Sequence, residues 1–195
     1  MSGESAFFYG TLMHPAILKR VIGKDGSHLQ ICPAVLLKFT RHCVKDADYP
    51  GIIPYDEGRR AGFFPRDLDR EACSVRGTMV TGLSDDDMKY LDTFEGSEYD
   101  RTVVGVHPLG DLVGLSDYTM PTGTPPPLPS KLDPPVEVET YVYGNKENKP
   151  GVNLMQDIWD FDDFVKKNAW KWYGNASRDN PDFTEVDRRQ AEGAK

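Results

Sequence analysis

The apolar residues of this chain come in short runs rich in β-branched and aromatic side chains, and glycine or proline cuts nearly every run off. SAFFYG (5–10), CPAVLLKFTRHCV (32–44), CSVRGTMVTGL (73–83), YDRTVVGVHPL (99–109) and VEVETYVYGN (136–145) have strand composition and strand length. YPGIIP (49–54) is too rich in turn residues for regular helix. Between these runs a few stretches carry helical spacing. In HPAILKRVIG (14–23), Pro15 suits a first helical turn, Ile17, Leu18, Val21 and Ile22 share a face, and Gly23 is a stop. Ser84 stands where an N-cap belongs, followed by Asp85, Asp86 and Asp87 at the positive end of a helix dipole. Met88, Leu91 and Phe94 give that helix an apolar side, and Gly96 ends it. A late stretch, WDFDDFVKKNAWKWYG (159–174), allows Phe161, Phe164, Val165 and Trp172 to pack while its lysines stay wet. Strands interleaved with a few helices predict a mixed α+β domain, not a regular βαβ series.

At 195 residues and 38% hydrophobic content the chain can build one real core. The expected domain covers residues 1–175, with a polar C-terminal tail over 176–195 that frays or runs across the surface. Between two strands lies LSDYTMPTGTPPPLPSKLDPP (115–135), a Pro-rich insertion that reads as a surface loop or as a lid over a site. A net charge of −8 argues against a broad nucleic-acid surface and against binding to anionic lipid. No apolar run approaches the roughly 20 residues of a membrane span. MSGESAFFYG has no basic region followed by an apolar stretch, so a secretory signal is not expected. Cys32, Cys43 and Cys73 are odd in number with no CxxC pair, which fits reduced, packed thiols in a cytoplasmic protein. His28, Cys32, His42 and Cys43 match no zinc spacing. The sequon at Asn175 has little force without a secretory route.

Two places suggest chemistry. In YLDTFEGSEYDR (90–101), Glu95 falls at the carboxyl end of the helix, at the edge of an apolar face. Burial and the negative end of the dipole both raise a carboxyl pKa there, which suits a proton acceptor near neutral pH. In FFYGTLMHP (7–15), a strand, a glycine turn and a helix start bring unpaired backbone N–H groups together. Such a turn can hold a carboxylate or phosphate oxygen; Gly10 permits close approach and Thr11 adds a hydroxyl. GxGxxG and GxxxxGK[ST] are both missing from the sequence, so nucleotide binding has no support.

In combination, YGTL after an aromatic N-terminal strand, YPGIIP, LDTFEG, YDR and a late ETYVY resemble the γ-glutamylcyclotransferase-like superfamily, most nearly its plant and fungal avirulence-induced-gene branch. The resemblance covers roughly residues 5–145, and DIWDFDDFV also resembles that branch's late helix. It implies an α+β fold around a small mixed β-barrel with flanking helices. It implies that Tyr9, Gly10, Thr11 and Leu12 bind the α-carboxylate end of a γ-glutamyl group, with Met13 and His14 at the pocket's edge. Glu95 would be the proton acceptor and Tyr99 would lie near the substrate, while Arg101 fits a structural role equally well. The implied enzyme cyclises a γ-glutamyl group to 5-oxoproline and releases the attached amine, with no metal or redox cofactor. The released amine is left open: a simple amino acid, a lysine side chain from an isopeptide remnant, or a specialised-metabolite intermediate. Acyl-chain removal from an amino-acylated natural product is a further member-type reaction. The alternative is a non-catalytic small-molecule-binding or interaction protein that keeps the fold.

Overall fold

A computed structural model describes residues 3–121, 123–144 and 153–193. The elements run β1 (Glu4–Phe8), α1 (Pro15–Ile22), β2 (Gln30–Leu37), β3 (Phe39–Val44), β4 (Pro50–Pro54), α2 (Tyr55–Arg60) and β5 (Ser74–Leu83). They continue with α3 (Asp85–Glu95), β6 (Tyr99–Pro108), β7 (Val113–Gly114), β8 (Val136–Tyr143), β9 (Leu154–Ile158), α4 (Phe161–Lys167) and α5 (Thr184–Gly193).

One sheet has the order β5-β1-β8-β6-β2-β7, and an added β5–β2 pairing closes it into a barrel. The barrel is mixed: β1 lies parallel to β8, while β1–β5, β2–β5, β2–β6 and β6–β8 are antiparallel. Gly77 marks a tight point of closure, because a Cβ there would lie 2.2 Å from the Phe8 carbonyl oxygen. A second sheet, β4-β3-β9, covers one side. This is the small mixed barrel with flanking helices that the sequence resemblance implied.

The helices form where capping and spacing direct. His14 caps α1, its Nδ1 accepting from Ala16 N at 3.2 Å, and Ile17, Leu18, Val21 and Ile22 are all buried. Gly23, at φ 65°, ends the helix in the left-handed region. Ser84 and Asp87 form a capping box at the start of α3, and Met88 and Leu91 bury its inner side. The Asp87 side chain is fully buried, with Lys24 Nζ at 2.7 Å and His28 Nε2 at 2.9 Å. Burial alone would raise its pKa, but bonds from Lys24, Ser84 and His28 outweigh that and hold it at about 2.

The C-terminal third departs from expectation. α4 stops at Asn168, so Trp172 reaches the core from beyond a 3₁₀ turn and not along a helical face; Val165 stays exposed. Residues 184–193, expected to fray or to run across the surface, form a helix. Phe183 and Val186 are both fully buried, Arg20 pairs with Asp187 at 2.6 Å, and Gln190 Nε2 donates to Val21 O at 2.9 Å. Two apolar side chains at helical spacing suffice to dock an otherwise polar segment. Among the described residues no helix is long and apolar enough to cross a membrane.

Candidate active site

The chain leaves β1 through Tyr9 and Gly10 and turns at once into a 3₁₀ turn over Thr11–Met13. Met13 N donates to Gly10 O at 3.0 Å and His14 N to Thr11 O at 3.1 Å. Thr11 and Leu12 open the turn, so their N–H groups have no acceptor within it. Three bonds fix the surroundings. Tyr9 Oη donates to Tyr141 O at 2.6 Å, Arg41 Nη1 donates to Tyr9 O at 2.7 Å, and Tyr99 Oη donates to Pro50 O at 2.9 Å. Gly10 is needed for space: its φ of −126° suits many residues, but a Cβ would lie 2.8 Å from Cγ of Pro50.

Facing this turn is a cavity of about 190 Å³. Tyr9, Gly10, Thr11 and Leu12 line it on one side, and Glu95 and Tyr99 on another. Glu95 is the last residue of α3, half-buried, and Gly96 follows with φ 69°. Burial first, and the negative charge of Asp92 second, push the Glu95 carboxyl up to about 8. Among the described residues no hydrogen bond or ion pair holds this carboxylate, so it is free to exchange a proton with a ligand. Burial and the Glu95 charge push the Tyr9 hydroxyl well up, and Tyr99 is shifted the same way by burial, Tyr9 and Glu95. Both tyrosines are therefore neutral donors at physiological pH.

Asp92 sits one turn before Glu95 and is itself braced: Tyr141 Oη donates to it at 2.9 Å and Arg101 Nε lies 3.4 Å away. Arg101 also pairs with Glu139 at 2.9 Å and does not line the cavity. Met13 and His14 likewise lie outside the lining. His14 caps α1 and stacks on Tyr173 at 4.8 Å, its pKa lowered by burial, and Met13 faces a separate cavity. The expectation of these two at the pocket's edge thus does not match the geometry, because the 3₁₀ turn carries them past the rim. The Pro-rich segment 115–135 is also elsewhere. Arg76 Nη2 donates to Pro126 O at 2.6 Å, Leu128 N donates to Glu71 Oε2 at 2.9 Å, and none of the segment's described residues borders the Glu95 cavity.

Other residues enter the cavity without having been anticipated. Tyr49 donates to Glu98 Oε2 at 3.0 Å, and both reach the lining. Tyr141 lies in the ETYVY run. Trp172 and Asp182 arrive from the C-terminal part of the chain. Their local sequence is that of an ordinary packed aromatic and a solvated acid, and only the docking of α5 brings Asp182 near. His28 and His42 are engaged separately: His28 with Asp87, and His42 Nε2 with Thr40 Oγ1 at 2.9 Å.

Known proteins resemble this chain in sequence and in fold. AIG2-like protein C of Arabidopsis thaliana is 30% identical over 167 residues, 84% of this chain and 72% of the relative. Protein AIG2 C of the same plant is 26% identical over 169 residues, 87% and 76% of the two chains. Among solved structures, a yeast γ-glutamyl cyclotransferase specific to glutathione aligns with TM-score 0.55 at 14% identity, over 100% of this chain and 88% of that one. An Arabidopsis thaliana protein solved in solution aligns with TM-score 0.52 at 24% identity, over 100% and 84%. At these identities the likeness is one of fold. The profile described as gamma-glutamyl cyclotransferase, AIG2-like matches residues 6–161, and the chain belongs to that family.

Proposed function

We propose that the chain is a γ-glutamyl cyclotransferase in which Glu95 is the catalytic base. The observation that carries this reading is the placement of a half-buried carboxyl, its pKa lifted to about 8, in one cavity with the open amides of the Tyr9–Leu12 turn. Those amides and the Thr11 hydroxyl would take the α-carboxylate of a γ-glutamyl group. The same substrate carries its own nucleophile and electrophile, the α-amino nitrogen and the γ-amide carbonyl.

Ionised Glu95 removes a proton from the α-ammonium group, and the freed nitrogen attacks the γ-carbonyl carbon. The new C–N bond closes a five-membered ring. The bond to the outgoing amine then breaks as Glu95 returns the proton to that nitrogen. The ring nitrogen gives up its second surplus proton, which the released amine takes up to leave as an ammonium. The products are 5-oxoproline and the amine; one amide is exchanged for another and no water is consumed. General acid–base transfer of this kind contributes about 10²–10⁴-fold, with the curled binding of the substrate supplying an entropic share. A base with a pKa near 8 is about one-tenth ionised at pH 7 and still strong enough to take an ammonium proton.

The test is release of 5-oxoproline from a panel of γ-glutamyl compounds that differ in the outgoing amine. Turnover by the wild-type chain and its loss in Glu95→Gln support the reading. Substrate binding without any 5-oxoproline across the panel would leave a binding protein that has kept the fold.

A further inference from the structure

The Glu95 chemistry leaves the Pro-rich segment without a role, yet part of that segment has a period of its own. In PPPLPSK (125–131) the prolines at 125, 126, 127 and 129 fix their own φ near −65° and hold the residue before each extended. Such a run favours polyproline II, with three residues per turn and a rise of about 3.1 Å per residue. These residues belong to no helix or strand. The body of the protein grips the run at that same period. Arg76 Nη2 donates to Pro126 O at 2.6 Å and Arg70 Nη1 donates to Pro129 O at 2.8 Å, three residues further on. Between them Leu128 N donates to Glu71 Oε2 at 2.9 Å, and Leu128 is half-buried. The run is thus pinned along one side by the start of β5 and the turn before it, while Pro126, Pro127, Pro129 and Lys131 stay exposed.

We propose that residues 125–131 form a docking ridge for a partner domain of the SH3 type, which reads Pro-x-x-Pro-x-Lys. A groove of aromatic rings takes Pro126 and Pro129, and an acidic rim takes Lys131. The two prolines stand about 9 Å apart on one ridge and present apolar rings with no N–H to desolvate. Lys131 follows two residues on and, among the described residues, makes no ion pair. The other charges beside the ridge are engaged or lie past its end. Arg76 pairs with Glu71 at 2.7 Å, Arg70 is spent on Pro129 O, and Asp69 accepts from Ala72 N at 2.8 Å. Asp133 is exposed two residues beyond Lys131. An acidic rim is therefore attracted at Lys131 and repelled just past it, which fixes the direction in which the ridge is read. Its prolines and the bonds from Arg70, Glu71 and Arg76 order the ridge before a partner arrives, which lowers the entropic cost of docking.

Calorimetry on the full chain tests this with an isolated SH3 domain that takes Pro-x-x-Pro-x-Lys ligands. An isolated WW domain that reads Pro-Pro-Leu-Pro, and so makes no use of the lysine, is the control. The SH3 domain is expected to saturate and to bind more tightly than the WW domain. Pro126→Ala and Pro129→Ala should each weaken it about tenfold or more, whereas Pro127→Ala, off the ridge, should change affinity by less than about threefold. Lys131→Glu should weaken it about tenfold, and Lys131→Arg should keep the wild-type affinity. Thermal melting of each variant confirms that it is folded at the temperature of the titration. No binding of the SH3 domain to the full chain would overturn the proposal. So would a loss from Pro127→Ala equal to that from Pro126→Ala, or an affinity unmoved by Lys131→Glu. Tighter binding of the WW domain would assign the ridge to another kind of partner and overturn it too. Binding is read without turnover, so an absence of 5-oxoproline release leaves this test intact.

Discussion

Replacing Glu95 by Gln keeps the side chain's size and hydrogen-bonding reach and removes only its ability to ionise. The fold raises the Glu95 pKa from 4.5, the ordinary value for a glutamate, to about 8. A carboxyl raised in this way favours the folded state below pH 4.5, where it is protonated in both states. It gives that contribution up as the pH rises through 8, because the unfolded chain ionises first. A tenfold change in proton affinity is about 1.4 kcal/mol, which sets a ceiling near 5 kcal/mol for the cost of the folded charge. Glu95 is partly open to the cavity, where water screens the charge, so about 2–3 kcal/mol is the expected cost. Glu95→Gln should therefore match the wild type at pH 4 and exceed it by about 2–3 kcal/mol at pH 9, roughly 4–12 °C in melting temperature for a chain of this size. Turnover should fall about 10²–10⁴-fold in the same protein. Wild-type kcat/KM should climb from pH 6, reach half its limit near pH 8 and level off near pH 9. Urea unfolding of both proteins from pH 4 to 9, beside initial rates of 5-oxoproline release, reads all three quantities. A stability difference that does not grow with pH would refute the buried-carboxyl argument, and turnover at the wild-type rate would refute the base.

Gly10→Val should lose substrate affinity and some stability, because its Cβ lies 2.8 Å from Pro50 Cγ; unchanged KM in a folded variant would displace the turn from the site. Replacing residues 119–134 with a short Gly/Ser linker should lower the melting temperature, through loss of the Arg76 and Glu71 contacts, and leave kcat and KM within about twofold, since the segment's described residues do not border the Glu95 cavity. A changed order of substrate preference would restore the lid. Asp87→Ala should cost about 1–3 kcal/mol at pH 7, because it removes the capping box of α3 and the carboxylate that the half-exposed Lys24 and His28 pair with. The Asp87 contribution is held above pH 3.8 and lost as the pH falls through 2, so the gap between variant and wild type should close in strong acid.

The barrel was legible because its strands are short runs bounded by Gly and Pro, and α1 and α3 were legible because both carry caps at their ends. Tyr9–Leu12 and Glu95 stood out for a related reason: a glycine turn and a helix terminus leave polar groups that must be satisfied or used. What escaped was decided by packing across the chain. β9, LMQDI, is mostly exposed and pairs only because β3 offers it an edge. α5 depends on Phe183 and Val186 reaching α1 and α3, and nothing in a polar stretch says where its two apolar side chains will dock. The Pro-rich segment shows the same limit. Composition marks it as a long connection, but which face it covers follows from Arg76 and Glu71, distant in sequence.

The late docking matters for the cavity, because it places charge there from outside the family match. Residues 6–161 supply the turn and Glu95, whereas Trp172 and Asp182 lie beyond them. Burial, with Asp48 and Glu98 nearby, raises the Asp182 pKa, the signature of carboxylates crowded at one mouth. Lys171 offsets only part of this, sitting 3.1 Å from Asp48. A γ-glutamyl compound whose outgoing amine carries a carboxylate would meet that field, while one whose outgoing part is neutral or cationic would not. Mutual repulsion among exposed charges is screened over about 8 Å at physiological salt, so the discrimination should shrink as ionic strength rises. Asp182→Asn should lower KM for γ-glutamylglycine and leave KM for γ-glutamylethylamide near its wild-type value. Equal KM changes for the two substrates, or none at either salt concentration, would mean that the C-terminal segment closes the cavity without choosing what enters it.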